Sequence, residues 1–254
     1  VHFMGETAKV LCPDKKVLVP DMAAGCSLAD SCPADKFAQF VKEHPGHTVI
    51  SYVNTTAAVK AVTDVVVTST NARQIVESFP EDEKIIFGPD RNLGNYINSV
   101  TGRNMLLWDG ACHVHEQFSV EKIVELKQQH PGAVVLAHPE CKSTVLKLAD
   151  VVGSTAALLK YAVGHPEKEY IVATESGILH EMQKKCPQTK FIPAPPNDST
   201  CACNECNFMR LNTLEKLYDC LKNESPEIKV DAEIAEKAVK PIKKMLEISA
   251  KLGL

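Results

Sequence analysis

His130-Pro131-Gly132-Ala133-Val134-Val135-Leu136-Ala137-His138-Pro139-Glu140 and His44-Pro45-Gly46-His47-Thr48-Val49-Ile50-Ser51-Tyr52-Val53-Asn54 are one pattern written twice, 86 residues apart. Each runs from a Pro-Gly turn through an apolar run to a polar end. The same offset carries Cys26 onto Cys112 and Asp64-Val65-Val66 onto Asp150-Val151-Val152. It also carries Ser69 onto Thr155 and Ile85-Ile86 onto Ile171-Val172, with no gap required. Self-similarity of this length marks a structural unit copied within the chain, and the copies can share one site.

The apolar runs set the fold class. Ala133-Val134-Val135-Leu136-Ala137 lacks the in-out alternation of a half-exposed strand and suits a parallel sheet covered by helices on both faces. The second copy has candidate strands at 106–108, 133–137, 150–153 and 170–173. Between them, 118–129, 142–148, 156–161 and 178–185 carry apolar residues three and four apart, as helices do. Strand and helix in alternation imply right-handed crossovers and an α/β layer structure. The tail, 231–254, places Ile234, Ala238, Ile242 and Met245 on one face among lysines and reads as a closing amphipathic helix.

A third copy is expected. Cys201-Ala202-Cys203-Asn204-Glu205-Cys206 follows the strand-like Lys190-Phe191-Ile192, as Cys26 follows Val17-Leu18-Val19 and Cys112 follows Leu106-Leu107-Trp108. Phe3-Met4-Gly5-Glu6-Thr7-Ala8 resembles Phe87-Gly88-Pro89-Asp90-Arg91-Asn92 and Ala173-Thr174-Glu175-Ser176-Gly177-Ile178, the ends of the last strands in the other copies. The expectation is a chain that begins late in a first repeat, most of which lies outside it. It would comprise three pseudo-threefold-related α/β repeats, each a small parallel sheet flanked by helices. Residues 1–20 would be a remnant of the first, completed by 207–254; 21–108 would form the second and 109–206 the third.

Composition narrows the function classes. With 254 residues, 44% hydrophobic and 24% charged, the chain reads as soluble and globular with a sizeable core. A net charge of −4 argues against nucleic acid or an anionic membrane as partner. No apolar run approaches the roughly 20 residues of a membrane span. Ten cysteines without a visible secretory signal read as thiols and metal ligands, and the cytoplasm is the expected compartment.

One cysteine per repeat, Cys26, Cys112 and Cys206, suits three thiolates on a cubane iron–sulfur cluster, which leaves one iron open as a Lewis acid. Cys32 is a poorer ligand candidate because its repeat partner is Phe118. Cys12, Cys141, Cys186 and Cys220 read as small buried hydrophobes. Cys201 and Cys203 form a reversible disulfide or have no role. In parallel α/β sheets ligands bind beyond the carboxyl ends of the strands. The paired ends are Tyr52-Val53-Asn54 with His138-Pro139-Glu140, and Thr68-Ser69-Thr70-Asn71 with Gly153-Ser154-Thr155. The second pair sits where helices should begin, so its hydroxyls can cap them, and such turns also bind carboxylate or phosphate.

Several segments carry a resemblance to a known family. They are Phe3-Met4-Gly5-Glu6-Thr7-Ala8-Lys9, Gly25-Cys26-Ser27-Leu28-Ala29-Asp30, Tyr52-Val53-Asn54-Thr55, Gly110-Ala111-Cys112, His138-Pro139-Glu140, Val152-Gly153-Ser154-Thr155, Ile171-Val172-Ala173-Thr174-Glu175 and Cys203-Asn204-Glu205-Cys206-Asn207-Phe208-Met209. Through them the chain resembles the quinolinate synthases over essentially its whole length. The resemblance implies a [4Fe–4S] cluster on Cys26, Cys112 and Cys206, with one open iron. It implies a transferase-type condensation and dehydration, in NAD biosynthesis, of iminoaspartate (iminosuccinate) with dihydroxyacetone phosphate to quinolinate, phosphate and water. L-aspartate oxidase or aspartate dehydrogenase would be the functional partner. Tyr52, Val53, Asn54, Ser69, His138, Pro139, Glu140 and Thr155 would surround the iminosuccinate, with Glu140 as general base, His138 as donor or acid and Tyr52 as donor or weak acid. The family's first domain also supplies a histidine-bearing strand end and a serine to the pocket, and this sequence lacks them. The alternatives are a diphthamide-type iron–sulfur radical enzyme and a non-catalytic iron–sulfur sensor.

Overall fold

The computed structural model describes residues 1–166, 168–198 and 205–254; Cys201 and Cys203 lie outside the described residues. The chain divides into two compact units, residues 1–110 with 207–254, and residues 111–206. Each holds one parallel four-stranded sheet. In the first, β1 (Thr48–Tyr52), β2 (Val65–Val67), β3 (Ile85–Gly88) and β4 (Leu106–Leu107) lie in the order β2-β1-β3-β4. In the second, β5 (Val134–Ala137), β6 (Val151–Val152), β7 (Tyr170–Ala173) and β8 (Phe191–Pro193) repeat that order as β6-β5-β7-β8.

The absence of alternation is explained by burial on both faces. In the second unit Val135 and Ile171 pack with Ile123 and Val145 on one side of the sheet. Leu136, Tyr170 and Val172 pack with Leu158 and Met182 on the other. Each fully buried aliphatic side chain contributes about 1.5–3 kcal/mol. The repeat extends to single hydrogen bonds. Asp64 accepts from Val49 N at 2.8 Å and returns its own N–H to Val49 O at 2.9 Å; Asp150 does the same with Val135, at 2.8 and 2.9 Å.

Four expectations need correction. First, 106–108 does not open the second copy: Leu106 pairs with Ile86 and Leu107 with Phe87, so β4 closes the first sheet. The Arg91–Thr101 helix carries the chain from β3 back to pair in parallel along that edge. Second, the repeat is not gapless. Ile50 pairs with Val65 and Leu136 with Val151, an offset of 86 on both strands. Thr48, however, pairs with Ile85, whereas Val134 pairs with Tyr170, so the third strands are offset by 85. A strand buried on both faces offers no alternation to reveal a one-residue slip. Third, Phe3 to Ala8 lies inside the helix His2–Leu11, which buries Phe3, Gly5 and Val10. Gly5 allows the close packing, since a Cβ there would lie 2.8 Å from Ile228 and 2.9 Å from Val19. Fourth, Val17-Leu18-Val19 forms no sheet strand; Leu18 makes a single antiparallel bridge to Glu227.

The tail forms the helix Ala232–Leu252. Asp231 caps it by accepting from Glu233 N at 2.9 Å and Ile234 N at 3.1 Å. It lays Ala238, Pro241, Ile242 and Met245 against β2 and the short helix Ala57–Lys60. Among the described residues, no helix is long and apolar enough to cross a membrane.

Candidate active site

Cys26, Cys112 and Cys206 each stand immediately before a four-residue helix: Ser27–Asp30, His113–Glu116 and Asn207–Arg210. At Cys26 and Cys112 the backbone is extended, and the cysteine carbonyl accepts the first helical hydrogen bond, from Asp30 N at 2.9 Å and Glu116 N at 3.0 Å. All three thiols are half-buried, and Cys26 lines a cavity of about 270 Å³ with His2, Phe3 and Thr56. This donor chemistry fits three thiolates on an iron–sulfur cluster. The other described cysteines do not offer it. Cys32 is packed with Phe37 and Val49, and burial pushes its thiol up to about 12. Cys141 donates to Ala173 O at 3.3 Å; Cys186 and Cys220 are buried, while Cys12 is only half-buried.

Gly110 shapes the approach to Cys112. Its carbonyl accepts from Arg91 N at 2.8 Å, and a Cβ at this position would sit 2.5 Å from Pro89 O. Only glycine permits so close a passage of backbone past backbone.

In the second unit, the carboxyl end of β5 assembles a buried polar group. His138 Nδ1 lies 3.0 Å from Glu140 Oε2, so the two side chains, two positions apart, do point to the same side. Glu140 N also lies 3.4 Å from His138 Nδ1. The ring nitrogen cannot serve both as donor and as acceptor, and the shorter contact to a carboxylate favours Nδ1–H donating to Glu140. His115 adds its Nδ1 at 3.6 Å from Glu140 Oε2, while its Nε2 lies 3.1 Å from Thr174 Oγ1. Burial drives the His115 imidazolium down to about 4, leaving the ring neutral. Burial works against the charge on Glu140, yet His138 beside it, through its charge and its hydrogen bond, outweighs that and holds the carboxyl below its ordinary range. Cys112 completes the group: one donor atom each from Cys112, His115 and Glu140 lie within 4.8 Å of one another. Cys206 N donates to Glu175 Oε1 at 3.2 Å.

In the first unit, Tyr52 is buried at the carboxyl end of β1, and Val53 N prolongs the ladder to Val67 O at 2.8 Å before the chain leaves the sheet at Asn54. Ser69 lies half-buried in the turn after the adjacent β2. Lys60 braces this end. Its buried Nζ donates to Val53 O at 2.8 Å, Thr55 O at 2.5 Å and Thr55 Oγ1 at 3.2 Å, and lies 5.7 Å from the Phe3 ring centroid. Burial pulls the Lys60 ammonium down to about 7, with Glu6 opposing.

The capping expectation holds in one copy only. Ser154 caps the helix Thr155–Gly164 by accepting from Ala157 N at 3.3 Å, which leaves Thr155 exposed. In the first copy Asn71, not a hydroxyl, stands at the N-cap of Ala72–Glu77. Its side chain turns back to accept from Thr68 N at 2.7 Å and Thr68 Oγ1 at 3.0 Å, a local bond that competes with capping. Pro139 is buried between the two catalytic candidates. A larger cleft of about 560 Å³ lies by Thr48, Asp64 and Lys240, at the amino ends of β1 and β2, the wrong end for ligands in such sheets.

Sequence reasoning missed His115 and Lys60, although both break the repeat. His115 stands where the first copy has Ala29, and Lys60 where the second has Leu146.

Residues 1–247 match the family model described as quinolinate synthetase A protein. The chain is 56% identical over 250 residues to a quinolinate synthase of Synechococcus, covering 98% of this chain and 78% of that protein. It is 57% identical over 249 residues to that of Chloroherpeton thalassium, covering 98% and 77%, and 58% identical to that of Nostoc punctiforme, covering 98% and 76%. With identity this high across nearly its whole length, the chain belongs to the quinolinate synthase family of enzymes.

Proposed function

We propose that this chain condenses iminosuccinate with dihydroxyacetone phosphate to give quinolinate, phosphate and water. The observation that carries this reading is the buried His138–Glu140 pair, with His115 and Cys112 beside it, at a strand's carboxyl end. Cys26, Cys112 and Cys206 would hold a [4Fe–4S] cluster, which supplies an open iron as Lewis acid toward a hydroxyl, carbonyl or carboxylate.

The protein's own groups handle protons and orientation. Glu140, kept ionised by His138 beside it, is a general base for the carbon acid that must be deprotonated during ring closure. His138, with Nδ1–H held on Glu140, presents its other ring nitrogen to substrate as acceptor, or as donor once protonated. Asn54, Ser69 and Thr155 offer neutral donors to the dicarboxylate. Tyr52 offers a phenol. The domain assignment we favour is 21–108, 109–206, and 1–20 with 207–254; its support is the recurrence of a cysteine before a four-residue helix. An imine hydrolyses readily in water, which favours supply by an enzyme that oxidises aspartate, L-aspartate oxidase or aspartate dehydrogenase. The abundance of cysteine favours the cytoplasm.

Glu140→Gln keeps shape and hydrogen-bonding capacity but removes the basic carboxylate. Turnover should fall roughly 10²-fold or more, with iron content unchanged. Near-normal turnover with an intact cluster would reduce Glu140 to a positioning role.

A further inference from the structure

We propose that Cys112, His115 and Glu140 form a site for a single divalent transition-metal ion of the zinc class, separate from cluster ligation and mutually exclusive with it at Cys112 Sγ. The ligand chemistry is that of a three-residue site with an open fourth position: thiolate, imidazole and carboxylate. Cys112 and His115 are three residues apart, at the N-cap and third position of the helix His113–Glu116. Glu140 arrives from the end of β5.

Geometry supports the assignment. Zinc–ligand bonds of roughly 2.0–2.3 Å at a tetrahedral angle put neighbouring donor atoms roughly 3.3–3.8 Å apart. His115 Nδ1 and Glu140 Oε2 already stand at 3.6 Å, and all three donors lie within 4.8 Å. His115 Nδ1 and Glu140 Oε1 are both buried without a hydrogen-bond partner, a costly condition that a cation relieves.

The surroundings point the same way. Thr174 Oγ1 at 3.1 Å gives His115 Nε2–H an acceptor, which leaves the Nδ1 lone pair aimed at the site. His138 Nδ1 lies 3.0 Å from Glu140 Oε2, a hydrogen bond of the kind that orients a ligating carboxylate. On binding, the Cys112 thiol gives its proton to solvent as the sulfur–metal bond forms. No electron is transferred. An ion so held occupies the thiolate that a cluster needs and the carboxylate assigned above as base.

The test uses the full chain, prepared anaerobically without iron, and titrated with Co²⁺ as a coloured probe and then with Zn²⁺. One Co²⁺ per chain should bind with tetrahedral d–d bands and the charge-transfer intensity of a single thiolate, and Zn²⁺ should displace it. Cys112→Ser and His115→Ala should each weaken binding at least tenfold, and His138→Gln roughly 10- to 100-fold, as for loss of an outer partner. His115→Gln guards against misfolding of the alanine variant. Cys26→Ser and Cys206→Ser should bind Co²⁺ normally. Unchanged affinity in both His115 variants overturns the proposal, as does a three-thiolate spectrum lost in Cys26→Ser. Failure of cluster assembly alongside normal Co²⁺ binding would count against the proposed function and leave this site standing.

Discussion

Lys60 holds the main chain on either side of Asn54, donating to the carbonyls of Val53 and Thr55 from a fully buried position. Lys60→Met would relieve the burial of an ammonium but leave those carbonyls without their donor. The second effect dominates for buried polar groups, so stability should fall by about 2–4 kcal/mol in chemical denaturation. The pH dependence has a definite sign. Burial lowers the folded-state value to about 7 from the ordinary 10.5. Across that window the unfolded chain carries a proton that the folded chain has released, so stability rises with pH, by at most about 1.4 kcal/mol per unit. Below about pH 7 this contribution is flat. Lys60→Met should abolish the slope between pH 7 and 10; a slope that persists would mean the ammonium is better solvated than its burial implies. His138 and Glu140 belong to the same scale. Their contact was legible because residues two apart on extended chain share a side. His115 was not, because it reaches Glu140 from another element.

At the scale of elements, the aspartates that open β2 and β6 are the clearest shared device. Asp64 and Asp150 each tie the N–H of the neighbouring strand's second residue at 2.8 Å. Asp150→Ala should cost about 1 kcal/mol, the typical net value of such a bond, and Asp64→Ala a similar amount. Because the two sites lie in different compact units and share no partner, their costs should add within a few tenths of a kcal/mol. Differential scanning calorimetry of the single and double variants would check this; a double variant no weaker than either single one would show the bonds are not independent. Elements also mark the limit of pattern reading. The strand 106–108 was recognisable as a strand, yet its membership in the first sheet depends on a crossover that no local pattern records.

At the scale of the whole molecule, the described cysteines divide into three that precede short helices, four that are buried (Cys32, Cys141, Cys186 and Cys220) and the half-buried Cys12. Anaerobic reconstitution should give about four irons and four sulfides per chain. Cys26→Ser, Cys112→Ser and Cys206→Ser should each abolish that, whereas Cys141→Ser should not. A normal cluster in Cys112→Ser, judged by iron content and visible absorption, would sink the ligand assignment. The sequence by itself determined the α/β class, the parallel sheets and their repetition within the chain. Each is written in the spacing of residues close together along the chain, through the length of apolar runs, their lack of alternation and the 86-residue offset. Only the tertiary structure decided the one-residue slip at β7, the place of β4, the meeting of His115 with Glu140 and the bracing by Lys60. These depend on which side chains from distant segments fill the same buried space, and a strand apolar on both faces carries no mark of its register.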